Sequence, residues 1–254
     1  MPFSGSLDVV RALGSCPQLK SLPEDAWNLP GAEILQFSCE VEEEGAIELI
    51  PPALHPSIPP YAVISVAKYP VSPVGPFSLA QVRLVARAGI RPRAFLLQAF
   101  IDSEEAAAPL SEHWGFKIET ATVDLAHRHD LSQGTVSIEN STVLDIRLEN
   151  AHVLSGQELN IIDGLHLTRS EIANDGDGLI LQVDPEYVFS YAERGEPDLA
   201  EWNPEGFDSI DRLVPVYPIV SIYARCDQDL PVLRFGMDPN KEGARGSVRF
   251  GAEN

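Results

Sequence analysis

Lysine is the scarcest charged residue in this chain: Lys20, Lys68, Lys117 and Lys241 are the only four in 254 residues. Basic residues together number 18 against 38 acids, a formal charge of −20. A surface so acidic repels polyanions, which excludes nucleic acid and anionic membrane as partners. Cysteine is sparse as well. Cys16, Cys39 and Cys226 are odd in number, far apart and without a CxxC pair. They predict free thiols in a reducing cytosol rather than a disulfide or zinc framework. No apolar run approaches the ~20 residues that span a bilayer. The start, MPFSGSLDVVRAL, has neither a basic n-region nor a long apolar h-region, so no secretory signal is expected and the location is read as cytoplasmic. Also missing are a GxSxG elbow, an HExxH pair, a Walker lysine loop and a GxGxxG turn after a strand.

What is present reads as an ordinary globular chain, 44% hydrophobic and 22% charged, long enough for a well-buried core. Residues 1–28, with Pro2, Pro17 and Pro23, form an N-terminal arm holding a short helix, of the kind that packs on a neighbouring subunit in many proteins. Residues 29–254 form one domain. Strands are predicted at 34–41, 61–69, 79–88, 93–101 and 117–125, and shorter ones at 142–149, 157–168, 179–189, 217–225 and 230–235. A helix is expected from Glu42 to Ile50, stopped by Pro51-Pro52. Another opens on the capping-box spacing of Asp102 and Glu105 and ends near Gly115. Many short strands with few helices give an α+β fold class, mainly antiparallel β, built as a barrel or sandwich.

Few residues carry chemistry. Lys117 lies where a helix gives way to a strand, close to Trp114 and Phe116. An apolar pocket there would lower its pKa and make it a nucleophile, whereas most lysines simply meet solvent. Arg83, Arg87, Arg91 and Arg93 bring four cations into eleven positions of an acidic chain, a place for an anionic small molecule to bind through bidentate contacts. Salt bridging to surplus acids is the competing reading, and it is favoured for Arg91 and Arg93. Arg83 alternates with Gln81 on one face of its strand. His127 and His129 share a side of an extended segment but lack an evident third ligand, so a polar turn is preferred to a metal site. Asp175 and Asp177 are read as a hairpin turn, since the twelve-residue calcium pattern is missing. No metal and no cofactor is expected.

Four segments occur in an order that resembles acetoacetate decarboxylase-like proteins: LPGAE at 29–33, ELIPPAL at 48–54, YPVSPVGPF at 69–77 and WGFK at 114–117. Weaker anchors are LILQVDPEY at 179–187 and MDP at 237–239. The resemblance implies a cone-shaped β-barrel with flanking helices, a homo-oligomer, and an active site inside the barrel. In that family a lysine forms a Schiff base with a keto acid, beside a second lysine that depresses its pKa. The family's Pro-Lys-Lys or Pro-Lys-His run is replaced here by Lys117-Ile118-Glu119. Without a gap, Ile118 falls on the Schiff-base lysine and Glu119 on its neighbour; one deletion puts Lys117 on the nucleophile instead. Two family acids fall on Leu79 and near Ile64. If Leu79 points inward, Gln81 and Arg83 share its face. The same parity turns Ile64, Val66 and Lys68 inward, which makes Lys68 a second candidate amine.

The leading expectation is an enzyme of this superfamily that acts on a small-molecule carbonyl or carboxylate metabolite larger than acetoacetate, by lyase, aldol–dehydration or hydration chemistry. Lys117 would be its Schiff-base amine, Glu119 the acid–base group and Arg83 the carboxylate anchor. Gln81, Trp114, Phe116, Leu79, Ile64 and Lys68 would line the pocket. The alternatives are a barrel that binds or cyclises an apolar ligand without covalent chemistry, and a true keto-acid decarboxylase with a shifted lysine.

Overall fold

In a computed structural model, the structure describes residues 4–89, 91–155, 158–159, 161–170, 178–207 and 209–251. The chain starts with α1 (Val9–Leu13), then runs through β1 (Trp27–Val41), α2 (Glu43–Leu49), β2 (His55–Pro56), β3 (Tyr61–Tyr69), β4 (Phe77–Arg87) and β5 (Pro92–Ile101). After α3 (Glu104–Trp114) come β6 (Ile118–Thr120), β7 (Thr122–His127), β8 (Leu131–Ile138) and β9 (Ser141–Val153). The last part holds β10 (Gly164–Arg169), β11 (Gly178–Val183), β12 (Glu186–Trp202), β13 (Pro215–Leu230), β14 (Phe235–Met237), α4 (Gly243–Gly246) and β15 (Ser247–Arg249).

The strands form one sheet, ordered β15-β14-β11-β10-β5-β4-β3-β1-β13-β12-β9-β8-β7, with β2 beside β4 and β6 beside β5. Pairing is antiparallel except for β10 and β6, which run parallel to β5. The sheet is rolled. Only Asp184 and Pro185 separate β11 from β12, although six strands lie between them along the ladder. Residues of β4, β11 and β12 consequently line one cavity. Among the described residues no hydrogen-bonded ladder joins β11 to β12, so the roll is a mainly antiparallel sheet left open rather than the closed cone expected from the resemblance.

Both faces of β1, β3, β4 and β5 are buried, which is why they read as near-continuous apolar runs. Outside the roll, Ile64, Val66, Ala80, Val82, Leu84, Phe95 and Leu97 pack with Val123, Leu125, Val136 and Leu144 of the returning strands and with α1 and α2. Gly134 on β8 lets that layer close down, since a Cβ there would stand 2.7 Å from the Val66 side chain. Inside, Ala67, Tyr69, Leu79, Leu96, Ala99 and Ile101 meet the apolar face of α3.

Several boundaries differ from the sequence-based expectation for local reasons. The N-cap of α3 is Ser103, whose Oγ accepts from Ala106 N–H, while Asp102 instead accepts from Ser78 N–H at 2.6 Å. The strand expected over 117–125 breaks at Ala121, whose N–H bonds back to Ile101 O. The strand expected at 179–189 splits at Pro185 into β11 and β12. The arm packs on its own chain, with Gly5, Ser6 and Leu7 N–H groups bonded to Leu54, Ile47 and Ile50 carbonyls. The Asp175/Asp177 turn lies outside the described residues. Among the described residues no helix is long and apolar enough to cross a membrane.

Candidate functional site

The site is built outward from alternation on β4. Leu79, Gln81 and Arg83 share one face of the strand and line a cavity of about 30 Å³ inside the roll. Their cross-strand partners on β3 are Ala67, Ser65 and Val63. Residues directly opposite in an antiparallel ladder share a face, so these three point inward and Ile64 and Lys68 do not. Ile64 pairs with Val82 in the outer core, and Lys68 is exposed where β3 ends. The expectation that both face the cavity is thereby corrected. It carried a one-residue slip of register, which moves every side chain of a strand to the other face.

Arg83 is 6% exposed, and no described carboxylate lies within salt-bridge distance of it. Its Nη1 and Nη2 donate at 3.4 Å to Ile162 O and at 3.5 Å to Ser65 Oγ, both long contacts, and its Nε has no partner among the described residues. Burial pushes the guanidinium below the usual arginine range, opposed by Tyr187, Tyr69 and Asp163. The other clustered arginines lie elsewhere: Arg93 is paired with Asp184 at 3.4 Å, and Arg87 and Arg91 are exposed.

Around Arg83 stand neutral polar groups. Tyr69 Oη donates to Gln228 Oε1 at 3.1 Å, and burial raises the pKa of both Tyr69 and Tyr187, keeping them phenols. His166 on β10 lies 2.8 Å through Nδ1 from Trp114 O. A carbonyl only accepts, so Nδ1 carries the proton and Nε2 keeps its lone pair. Burial pushes the His166 pKa down to about 4, with the Trp114 carbonyl opposing and Arg83 adding to the effect. The imidazole is therefore neutral at pH 7. Phe116 packs against it with ring centroids 4.3 Å apart.

Lys117 lies elsewhere. Gly115 ends α3 with φ +70, and the chain leaves extended, so Phe116 and Lys117 point to opposite faces. Phe116 lines the inner cavity, whereas Lys117 lines a separate one of about 330 Å³ on the outer face of β5, with Cys16, Leu49, Phe95 and Leu167. Ile118 packs with the inner core on the Phe116 side. The structure does not bring Lys117 and Arg83 into one site. Glu119 is exposed on β6 opposite Phe100 in register, and lines neither cavity. Trp114 is buried with its Nε1–H on Pro231 O at 2.8 Å, and touches the site only through its carbonyl. The inner cavity is also small for the expectation of a ligand larger than acetoacetate.

Tyr69, His166, Tyr187 and Gln228 were missed in the sequence. Tyr187 and its neighbour Pro185 sit in the LILQVDPEY anchor, which was the available signal. Among the described residues no three His, Cys, Asp or Glu side chains gather as a metal site. His127 instead stacks on Tyr223 at 4.0 Å and bonds Ser132 Oγ at 2.9 Å. All three cysteines are free and buried.

The family model described as acetoacetate decarboxylase (ADC) matches residues 16–163. No curated protein matches the chain. Among solved structures, acetoacetate decarboxylase from Legionella pneumophila subsp. pneumophila str. Philadelphia 1 superposes with a TM-score of 0.73 at 19% identity, covering 91% of this chain and 96% of that one. The enduracididine biosynthesis enzyme MppR complexed with pyruvate gives 0.67 at 14% identity, over 84% and 90% of the two chains. An acetoacetate decarboxylase-like enzyme from Sphingomonas wittichii RW1 gives 0.59 at 13% identity, over 84% and 95%. At these identities the likeness is one of fold.

Proposed function

The chain belongs to the acetoacetate decarboxylase family, and from that premise we propose that its inner cavity binds a small keto acid non-covalently and promotes proton transfer beside the carbonyl. The observation that carries this reading is Arg83. A buried guanidinium with an orphaned Nε costs several kcal/mol to desolvate, and the planar bidentate contact of a carboxylate is what offsets that cost. At about 30 Å³ the cavity has room for little more than a water molecule, so it admits a keto acid only of the smallest kind, such as pyruvate, and only with movement of the lining side chains. Pyruvate is also the molecule bound in the MppR complex of the same fold.

In this reading Arg83 and Gln81 hold the carboxylate. The phenol of Tyr187 or Tyr69 donates to the keto oxygen as negative charge develops there. His166 Nε2 takes the proton from the adjacent carbon, giving an imidazolium and an enolate, and returns it in the second half of the reaction. Free His166 is a weak base because it is buried beside Arg83. A bound carboxylate neutralises Arg83 and so raises the His166 pKa toward the working range. Among the described residues no lysine lines the cavity, so no Schiff base is invoked.

Calorimetric titration with pyruvate, for wild type and for Arg83→Met, tests this. Loss of a charge-assisted bidentate contact is worth about 2–3 kcal/mol, so Arg83→Met is expected to weaken binding by roughly 30- to 160-fold. It is also expected to unfold at equal or higher denaturant, because an apolar side chain replaces an unpaired buried charge. Equal affinity in the variant would overturn the assignment. So would a borohydride-trapped adduct on any lysine of the wild type.

A further inference from the structure

The cavity of about 330 Å³ that holds Lys117 lies outside the roll, under α1 and α2, and shares no wall with Arg83. Its volume falls at the lower end of the range typical of small-molecule sites, about 300–1,000 Å³. Its walls are divided by polarity. Leu49, Phe95, Leu97 and Leu167, all buried members of the outer core, form an apolar floor. Lys117, Arg11 and Arg212 stand among the polar groups that border the same space. Three acids share the lining: Glu48 is ion-paired with Arg212, Asp8 Oδ1 accepts the Arg11 backbone N–H at 3.1 Å as the cap of α1, and Asp211 is exposed at the rim. Cys16 adds an inert wall, because burial pushes its thiol up to about 11.

We propose that this outer cavity is a second ligand site, which takes an apolar monocarboxylate with its chain on Leu49, Phe95, Leu97 and Leu167 and its carboxylate at Lys117. The site does not depend on the keto-acid reading of the inner cavity. A ligand with an unbranched apolar chain fits the floor, and an ammonium on a half-buried stem beside that floor recognises a carboxylate as a point charge. A neutral chain of the same length keeps the first interaction and loses the second.

Titration of the full chain with octanoate and, separately, with 1-octanol tests the site by calorimetry. Saturable octanoate binding is expected in wild type. Lys117→Met should weaken octanoate by about tenfold or more while leaving 1-octanol within about twofold. Ala12→Trp, placed on α1 at the wall of the cavity, should abolish binding of both. Arg83→Met should leave octanoate affinity unchanged, which separates failure of this site from failure of the inner one. Each variant is first shown to melt cooperatively. The proposal is overturned if octanoate does not saturate, if Lys117→Met binds it as wild type does, if Ala12→Trp still binds either probe, or if Arg83→Met removes the binding.

Discussion

Arg83 and His166, to which the proposed function gives the chemistry of the inner cavity, were unequally visible in the sequence. Arg83 could be read from alternation with Gln81 and Leu79 on one strand, because period two fixes a face whatever the rest of the fold does. Ile64 and Lys68 needed the register between two strands, which local pattern does not contain. His166 needed a contact across 52 residues, to the Trp114 carbonyl. Its depressed pKa has a thermodynamic consequence. Between about 4 and the ordinary value of 6.5 the unfolded state binds the extra proton, so this contribution to stability is complete above 6.5 and is lost as pH falls toward 4. Denaturant unfolding should show wild type losing roughly 2 kcal/mol more than His166→Asn between pH 7 and pH 5. The asparagine keeps a donor for Trp114 O and does not titrate. Equal losses in the two proteins would mean that His166 is not held neutral.

At the scale of elements, β1, β3, β4 and β5 were legible because both of their faces are buried, α2 from the proline pair that stops it, and α3 from a capping-box spacing one residue away from its true cap, Ser103. The turn after α3 was harder. Gly115 takes φ +70, and a Cβ there would meet Leu181 Cδ1 at 2.9 Å, so the exit direction of the chain is set by one glycine. From that turn, parity alone decides that Phe116 and Ile118 face inward and Lys117 outward. Ungapped comparison with the family motif already put Ile118 on the amine position, and the inner packing of Ile118 supports that alignment over the one with a deletion. A gain of function follows. Ile118→Lys should give a pyruvate-dependent adduct at residue 118 after borohydride reduction, seen by peptide mass spectrometry. An adduct at Lys117 instead, or none in a folded variant that still binds pyruvate, would contradict this assignment of faces.

On the scale of the whole molecule, a charge of −20 accompanies a sheet rolled over two cores, with several of its ion pairs partly exposed at the surface. Such pairs contribute little, and the net self-repulsion works against the compact state. Raising sodium chloride from about 20 to 300 mM, which shortens the screening length, should lift the melting temperature by roughly 2–4 °C, the equivalent of about 1 kcal/mol for a chain of this size. A fall would show that attractive pairs outweigh the repulsion. The rolled architecture itself was inferred from four ordered motifs and not from periodicity, which has no term for curvature. The missing ladder between β11 and β12 could not be read from either.

The most direct test of the central claim is a crystal structure of the protein soaked with pyruvate. The account predicts the carboxylate on the Arg83 guanidinium, the keto oxygen within hydrogen-bond reach of Tyr187 or Tyr69, and no bond from the carbonyl carbon to a lysine. Pyruvate found covalently on Lys117, with Arg83 unoccupied, would contradict it.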